Sequence, residues 1–183
     1  MNIKRLLSKA YRFFYPLDPV TMYKKMGVKI GANCKIQGEV IIDYSHFWHI
    51  TIGNDVTLAP RVHILAHDAS TVLHTGYAKI GKVDIEDGVF IGAGTIVLPG
   101  VIIGKNSIIG AGSIVVNNIP ENTVAVGCPA KVVSTRADYL VKVKSQMNDY
   151  PIFEEEYTLR KAVSKVKMKE MNQKMKDRYG FVR

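Results

Sequence analysis

The 183 residues are 47% hydrophobic and 22% charged, which suggests one globular domain with room for short appendages. No run of about 18 apolar residues is present, so no spanning helix is expected, and the basic start MNIKRLLSKAYRFFYPLDP lacks the long apolar run and small-residue cleavage site of a signal peptide. The formal charge of +9 divides into +5 over residues 1–28, −1 over 29–133 and +5 over 134–183; a nearly neutral body without base-reading or stacking motifs excludes nucleic acid as the expected partner.

In chain order, residues 1–27 read as an N-terminal helical cap. Leu6, Leu7, Ala10, Tyr11 and Phe14 repeat at helical spacing, and Pro16 and Pro19 then break the helix. The body, residues 28–133, has a different period. Aliphatics recur every sixth position at Ile30, Ile36, Ile42, then Ile52, Leu58, Ile64, then Ile85, Ile91, Val97, Ile103, Ile109 and Val115. A period of six is neither the 3.6 of a helix nor the alternation of a plain strand. It fits a chain that lays down a short strand, turns and repeats, three hexads closing one triangular coil of about 18 residues. Stacked coils pair as parallel strands about 4.8 Å apart, and the phased aliphatics fill the prism. The fold class is thus an all-β core, a parallel β-helix of hexapeptide repeats with short helical segments at both ends. Asn33, Asn54, Asn106 and Asn117 suit its corners, because Asn tolerates left-handed backbone. The spacing does not set the handedness of the coil.

Two steps break the period. Ile42 to Ile52 is ten residues and carries Tyr44, His46, Phe47, Trp48 and His49. Ile64 to Ile85 is twenty-one and predicts a protruding loop over 66–82, where excursions from a solenoid usually map to a binding face. After Pro120 the repeat stops, and ENTVAVGCPAKVV reads as a strand and an exit turn. Residues 134–183 form a C-terminal helical extension, with helices over 135–147 and 154–178 and an apolar face of Leu159, Ala162, Val163 and Val166. Cys34 and Cys128 are far apart, with neither metal-ligand nor disulfide spacing. They are expected as small apolar fillers in a reducing, cytoplasmic setting.

The runs IGNDVTLAPRVHILAHD, KVDIEDGVFIGAGTIVLPGVIIGKNSIIGAGSIVVNNIP and VAVGCPAKVV resemble the hexapeptide-repeat acetyltransferases, and most of all the sugar and polysaccharide O-acetyltransferases of the maltose/galactoside type. The resemblance covers residues 28–133 and implies a left-handed β-helix, a homotrimer and acetyl-CoA as co-substrate, with no metal. It places the active site between two subunits, near the loop. His67 stands where that family carries its general base. A sugar hydroxyl is a poor nucleophile at neutral pH, and imidazole, with an unperturbed pKa of about 6.5, accepts its proton as the oxygen attacks a thioester.

Further residues follow by position. Gly92, Ala93, Gly110 and Ala111 match the small-residue coils along which the coenzyme's pantetheine arm runs, and Lys131 matches the basic position that meets its phosphates. The relatives' Asn and Asp, upstream of the base, fall on Gly38 and His46 here. Asp43 is the nearest acid left to orient His67, with a backbone carbonyl as the alternative. Tyr44 and Trp48 suit either a sugar-stacking platform or a subunit contact, and Tyr77 on the loop is a further acceptor-contact candidate. The basic flanks suit solvated helix surface or weak association with an anionic membrane surface.

Three other functions stay open on the residues alone. The acceptor is an amino group on a sugar; the prism is a non-catalytic scaffold; or His46, His63 and His67 serve a γ-class carbonic anhydrase-like zinc site, which needs three ligands and an open position.

Overall fold

The computed structural model describes residues 18–175 and 179–183; the helix expected over residues 6–14 lies outside them. The described residues form two compact units, one within residues 1–136 and one within 137–183. In the first, three parallel ladders make the faces of a prism. Strands β1 (Lys29–Ile30), β4 (Ile50–Ile52), β9 (Val83–Ile85) and β12 (Ile102–Ile103) stack on the first face. The second face holds β2 (Lys35–Ile36), β5 (Thr57–Leu58), β10 (Phe90–Ile91), β13 (Ile108–Ile109) and β15 (Thr123–Val126). The third holds β3 (Ile41–Ile42), β6 (His63–Ile64), β11 (Ile96–Val97) and β14 (Ile114–Val115).

The register follows from the hexad count. Uninterrupted coils pair residues 18 apart, as in Phe90 with Ile108. Across the first interruption the offset is 22, Lys29 with Thr51, and across the second it is 33, Thr51 with Asp84. The interruptions therefore insert four and fifteen residues into otherwise regular coils.

In each two-residue strand of the three prism faces the second side chain points inward. Ile52, Leu58, Ile64, Ile85, Ile91, Val97, Ile103, Ile109 and Val115 are all at most 2% exposed. A second inward position, two residues earlier in the hexad, went unread in the period. Val40, Val56, Val62, Val89 and Val101 fill it with apolar bulk, while Thr95, Ser107 and Ser113 fill it with hydroxyls. Each hydroxyl donates to a backbone carbonyl, Thr95 and Ser113 to Gly110 and Ser107 to Pro120, so none is buried unpaired. Truncating Ile91, fully buried in mid-prism, is expected to remove about 2–5 kcal/mol of stability. Denaturant unfolding of Ile91→Ala checks this, and a loss below about 1 kcal/mol would contradict a tightly packed interior.

The corners depart from the sequence reading in part. Left-handed backbone recurs three residues before an inward aliphatic, at Asn33, Glu39, Asp55, Arg61, Gly88, Gly94, Gly100, Asn106 and Gly112. Asn33 and Asn106 are thus in the expected conformation, but Asn54 and Asn117 are not. At Asn54 the side chain instead accepts the Ala32 N–H at 2.8 Å, tying one corner to the next. Its neighbour Asp55 takes the left-handed turn.

Other expectations are corrected. Pro19 opens a helix rather than only ending one: α1 (Pro19–Met26) is capped by the Asp18 carboxylate, because proline at the first helical position gives up an N–H that has no partner anyway. Cys128 is exposed and not a buried filler. After β15 the chain turns back as β16 (Lys131–Thr135), antiparallel to it. The unit 137–183 is less helical than expected over 154–178. Following the helix Arg136–Asp149, a parallel pair Ile152–Phe153 and Phe181–Val182 encloses two short 3-10 turns and the helix Lys165–Lys174. Phe153, 3% exposed, gathers Tyr157 at 5.2 Å, and Tyr150 and Phe181 pack on Tyr179. This aromatic cluster organises the segment in place of one long helix.

Candidate active site at the interrupted corner

Both interruptions leave the prism at the same corner, between the third and first faces, one coil apart. Ile42 pairs with Ile64, so the residues that follow each strand are stacked neighbours. Asp43 comes directly after Ile42, and its N–H donates to the Ile64 carbonyl at 2.9 Å. Ala66 and His67 come one residue beyond the paired strand above, after Leu65. The loop then runs through β7 (His67–Asp68), the short helix α2 (Val72–Thr75) and β8 (Lys79–Ile80), which pairs back on β7. The Gly81 N–H bonded to the Ala66 carbonyl at 3.0 Å closes its base.

Asp43 is 3% exposed and accepts from five donors. Its Oδ1 takes the Ser45 N–H at 3.0 Å, the Ser45 hydroxyl at 2.8 Å and the His46 N–H at 3.2 Å. Its Oδ2 takes the Ala66 N–H at 2.9 Å and the His67 Nδ1–H. Burial by itself raises a carboxyl pKa, but the bonds from His67, Ala66 and Ser45 outweigh it and hold Asp43 well below the usual carboxylate range. The residue is a fixed anion. It sets the His67 tautomer with the proton on Nδ1, which leaves Nε2 as an acceptor. The His67 side chain is 32% exposed, so the ring reaches solvent while its far edge is anchored.

Ser45 and His46 complete the cluster; the sequence pointed to His46 only as a possible zinc ligand and to Ser45 not at all. The Ser45 hydroxyl lies 3.0 Å from His46 Nδ1 and 3.2 Å from His67 Nδ1. The two imidazole centroids are 5.0 Å apart. The signal that finds this pair is the register: with a four-residue insertion, the first interruption stacks directly under the His67 strand.

The other candidate residues fall in two places. Trp48, 56% exposed, lies 5.3 Å from the His46 ring, and Tyr44, also exposed, follows Asp43. Tyr77 sits exposed on the loop with its carbonyl held by Thr71 and Thr75. Gly92, Ala93, Gly110 and Ala111 lie at a different corner, between the second and third faces, stacked in successive coils. Gly92 is buried, and a Cβ there would come 2.5 Å from the Ala111 N, so coil stacking alone requires that glycine. Ala93 and Ala111 are exposed and leave the edge between coils narrow-walled. Lys131, exposed, pairs with Val126, which packs over Gly110, so the cation stands at the end of the same edge. Within one chain, then, the His67 cluster and the small-residue edge do not meet; the third face separates them. A concavity on the first face, lined by Thr51, Gly53, Asp84, Glu86, Asp87 and Lys105, includes neither.

The ligating atoms of Asp43, His46 and His67 lie within 4.8 Å of one another, and His63 is not among them. Asp43 already receives five hydrogen bonds, four of them from Ser45, His46 N–H and Ala66 N–H, and metal ligation through Nδ1 would break the fifth, from His67, and the His46 contact to Ser45, which fits the arrangement poorly. Among the described residues no helix is long and apolar enough to cross a membrane.

Residues 82–117 match the family model described as bacterial transferase hexapeptide, six repeats. The chain is similar to a galactoside O-acetyltransferase of Lactococcus lactis subsp. lactis, 40% identical over 139 residues, covering 64% of this chain and 67% of that protein. It is similar in structure to a galactoside acetyltransferase solved in complex with coenzyme A, with TM-score 0.55 and 30% identity over 74% of this chain and 82% of the other. A maltose O-acetyltransferase from Clostridium difficile gives TM-score 0.52 and 30% identity, over 63% and 73%. The chain spans 42–67% of the length of the first curated relatives it matches.

Proposed function

The chain belongs to the hexapeptide-repeat acetyltransferases, whose left-handed parallel β-helix it shares, and from that premise we propose that it is an acetyl-CoA-dependent O-acetyltransferase. Its acceptor in this reading is a hydroxyl of a sugar or polysaccharide precursor. The observation that carries the proposal is the His67–Asp43 pair, a solvent-reaching imidazole whose Nδ1 is held by a buried carboxylate. That arrangement suits a general base and distinguishes the molecule from an inert scaffold.

In the proposed step His67 Nε2 takes the proton of the acceptor hydroxyl as its oxygen forms a bond to the acetyl carbonyl carbon. The C–S bond then breaks, and the imidazolium returns the proton to the departing thiolate. The products are the acetyl ester and free CoA. Asp43 stabilises the transient imidazolium. General base catalysis of this kind contributes about 10²–10⁴-fold, and the alignment of two bound substrates supplies much of the rest.

The donor's place is read from the small-residue edge. Exposed Ala93 and Ala111 give a narrow thioalkyl chain close approach to the coil backbone, and Lys131 offers a cation to phosphate at its end. Because one chain keeps this edge apart from His67, a complete site needs the edge of a second copy, which supports a homotrimer with three sites between subunits. The setting proposed is cytoplasmic polysaccharide biosynthesis, with the basic flanks available for weak contact with an anionic membrane surface.

Subunit complementation tests this. Free-CoA release is measured with acetyl-CoA across a panel of sugars. His67→Ala removes the base, and Ala93→Trp fills the exposed edge without entering the core. Each variant alone is expected to be nearly inactive, while co-assembled mixtures recover about a quarter of the wild-type sites. No recovery in mixed assemblies would contradict a shared site. Wild-type CoA release that no acceptor stimulates would contradict the acyl-transfer reading.

A further inference from the structure

Ser45 has one proton to give. Asp43 is an anion, and charge-assisted bonds are the stronger ones, so the Ser45 hydroxyl donates to Asp43 Oδ1 at 2.8 Å. Its oxygen is then an acceptor toward His46 Nδ1 at 3.0 Å. The His46 ring must therefore carry its proton on Nδ1, like His67. Two imidazoles 5.0 Å apart and tilted by 31° share one tautomer, each with Nδ1 turned to the same carboxylate–hydroxyl pair. Among the described residues neither Nε2 has a protein partner. His46 is half-buried, flanked by Trp48 at 5.3 Å and by His49 at 6.1 Å.

We propose that His46 is the specificity-determining group of this site, and that the acceptor is a sugar presenting two neighbouring hydroxyls, one to His67 Nε2 and the other to His46 Nε2. The inference rests on the acyl-transfer reading above and deepens it. A packing residue in this position would need no fixed tautomer and no link to the carboxylate. The Ser45 bridge gives His46 both, at the same anion that orients the base. Trp48, exposed beside His46, offers the apolar face on which the C–H side of a sugar ring rests while its hydroxyl edge meets the imidazoles. One acceptor nitrogen can receive only one hydroxyl, so two such nitrogens on neighbouring rings select a pair of them.

The test uses the full chain, acetyl-CoA and the methyl glycosides of galactose, glucose and mannose. The glycoside turned over fastest is compared with its monodeoxy derivatives. Wild-type protein is expected to lose about tenfold or more in kcat/KM on one derivative whose reacting hydroxyl is intact. His46→Phe keeps the ring but not the nitrogen, and is expected to show the same loss on the parent glycoside with no further loss on that derivative. His46→Gln, whose amide reaches toward the Nε2 position, is expected to recover part of the discrimination. If His46→Phe instead lowers kcat/KM equally on the parent and every derivative, the paired-hydroxyl assignment is overturned while acyl transfer stands. If no glycoside is turned over, or His67→Ala leaves turnover unchanged, the acyl-transfer reading falls and this inference with it.

Discussion

His67→Ala is expected to lower sugar-dependent CoA release by about 10²–10⁴-fold with the acetyl-CoA KM little changed. The reason lies in what the ring touches. Its Nδ1 is bound to Asp43, on the side facing the prism, while its exposed edge faces the place where loop and coil meet. Truncation deletes the only group of the cluster with a carboxylate bonded directly to its ring, and leaves the small-residue edge, at another corner, intact. Binding of the donor should survive while proton transfer is lost, which separates kcat from KM. Parallel thermal melts of the variant check that the coil itself is unaltered. Turnover within threefold of wild type would exclude His67 as the base.

Asp43→Asn is expected to be nearly as damaging, with a loss of about 10²–10⁴-fold in kcat. The amide has almost the shape of the carboxyl but brings its own N–H donors. Where its nitrogen faces His67, the imidazole is driven to the opposite tautomer, with the proton on Nε2 and no acceptor for the sugar hydroxyl. The substitution also weakens acceptance from Ser45, His46 and Ala66, at a cost of about 1–3 kcal/mol. The pH dependence carries a sign. Asp43 has its folded pKa depressed, so the stability it contributes is fully present above the ordinary aspartate value of about 3.9. It is lost as pH falls from there through the lower folded value. Wild-type stability should therefore drop more steeply on acidification below about pH 4 than that of Asp43→Asn. Parallel acid slopes in denaturant unfolding at pH 5 and pH 3 would rule out the buried carboxylate as their source.

The prism was legible because period six is a local property. Each hexad places an aliphatic inward, as at Ile85, Ile91 and Val97, and no distant contact is needed to see it. The second inward position was not legible, since Thr95, Ser107 and Ser113 read as polar. Their hydroxyls are buried because each finds a carbonyl, Thr95 and Ser107 in the next coil and Ser113 in its own turn at Gly110. Asn54 misled for a related reason: its side chain found a better partner across the coils than its own backbone would have supplied. The segment 154–178 misled as well, because helical spacing at Leu159, Ala162, Val163 and Val166 was outweighed by aromatic packing around Phe153 and Tyr179.

For the site, the sequence alone determined that there is a solenoid, that it is interrupted twice, and that His67 and Asp43 stand at the two breaks. The tertiary structure decided that the two breaks share one corner and that Ser45 and His46 join them. It also decided that the small-residue edge lies at another corner. The physical reason is that side-chain neighbours across coils depend on the register set by the inserted residues, four in one break and fifteen in the other. Only the closed, paired ladders convert those counts into a shared corner.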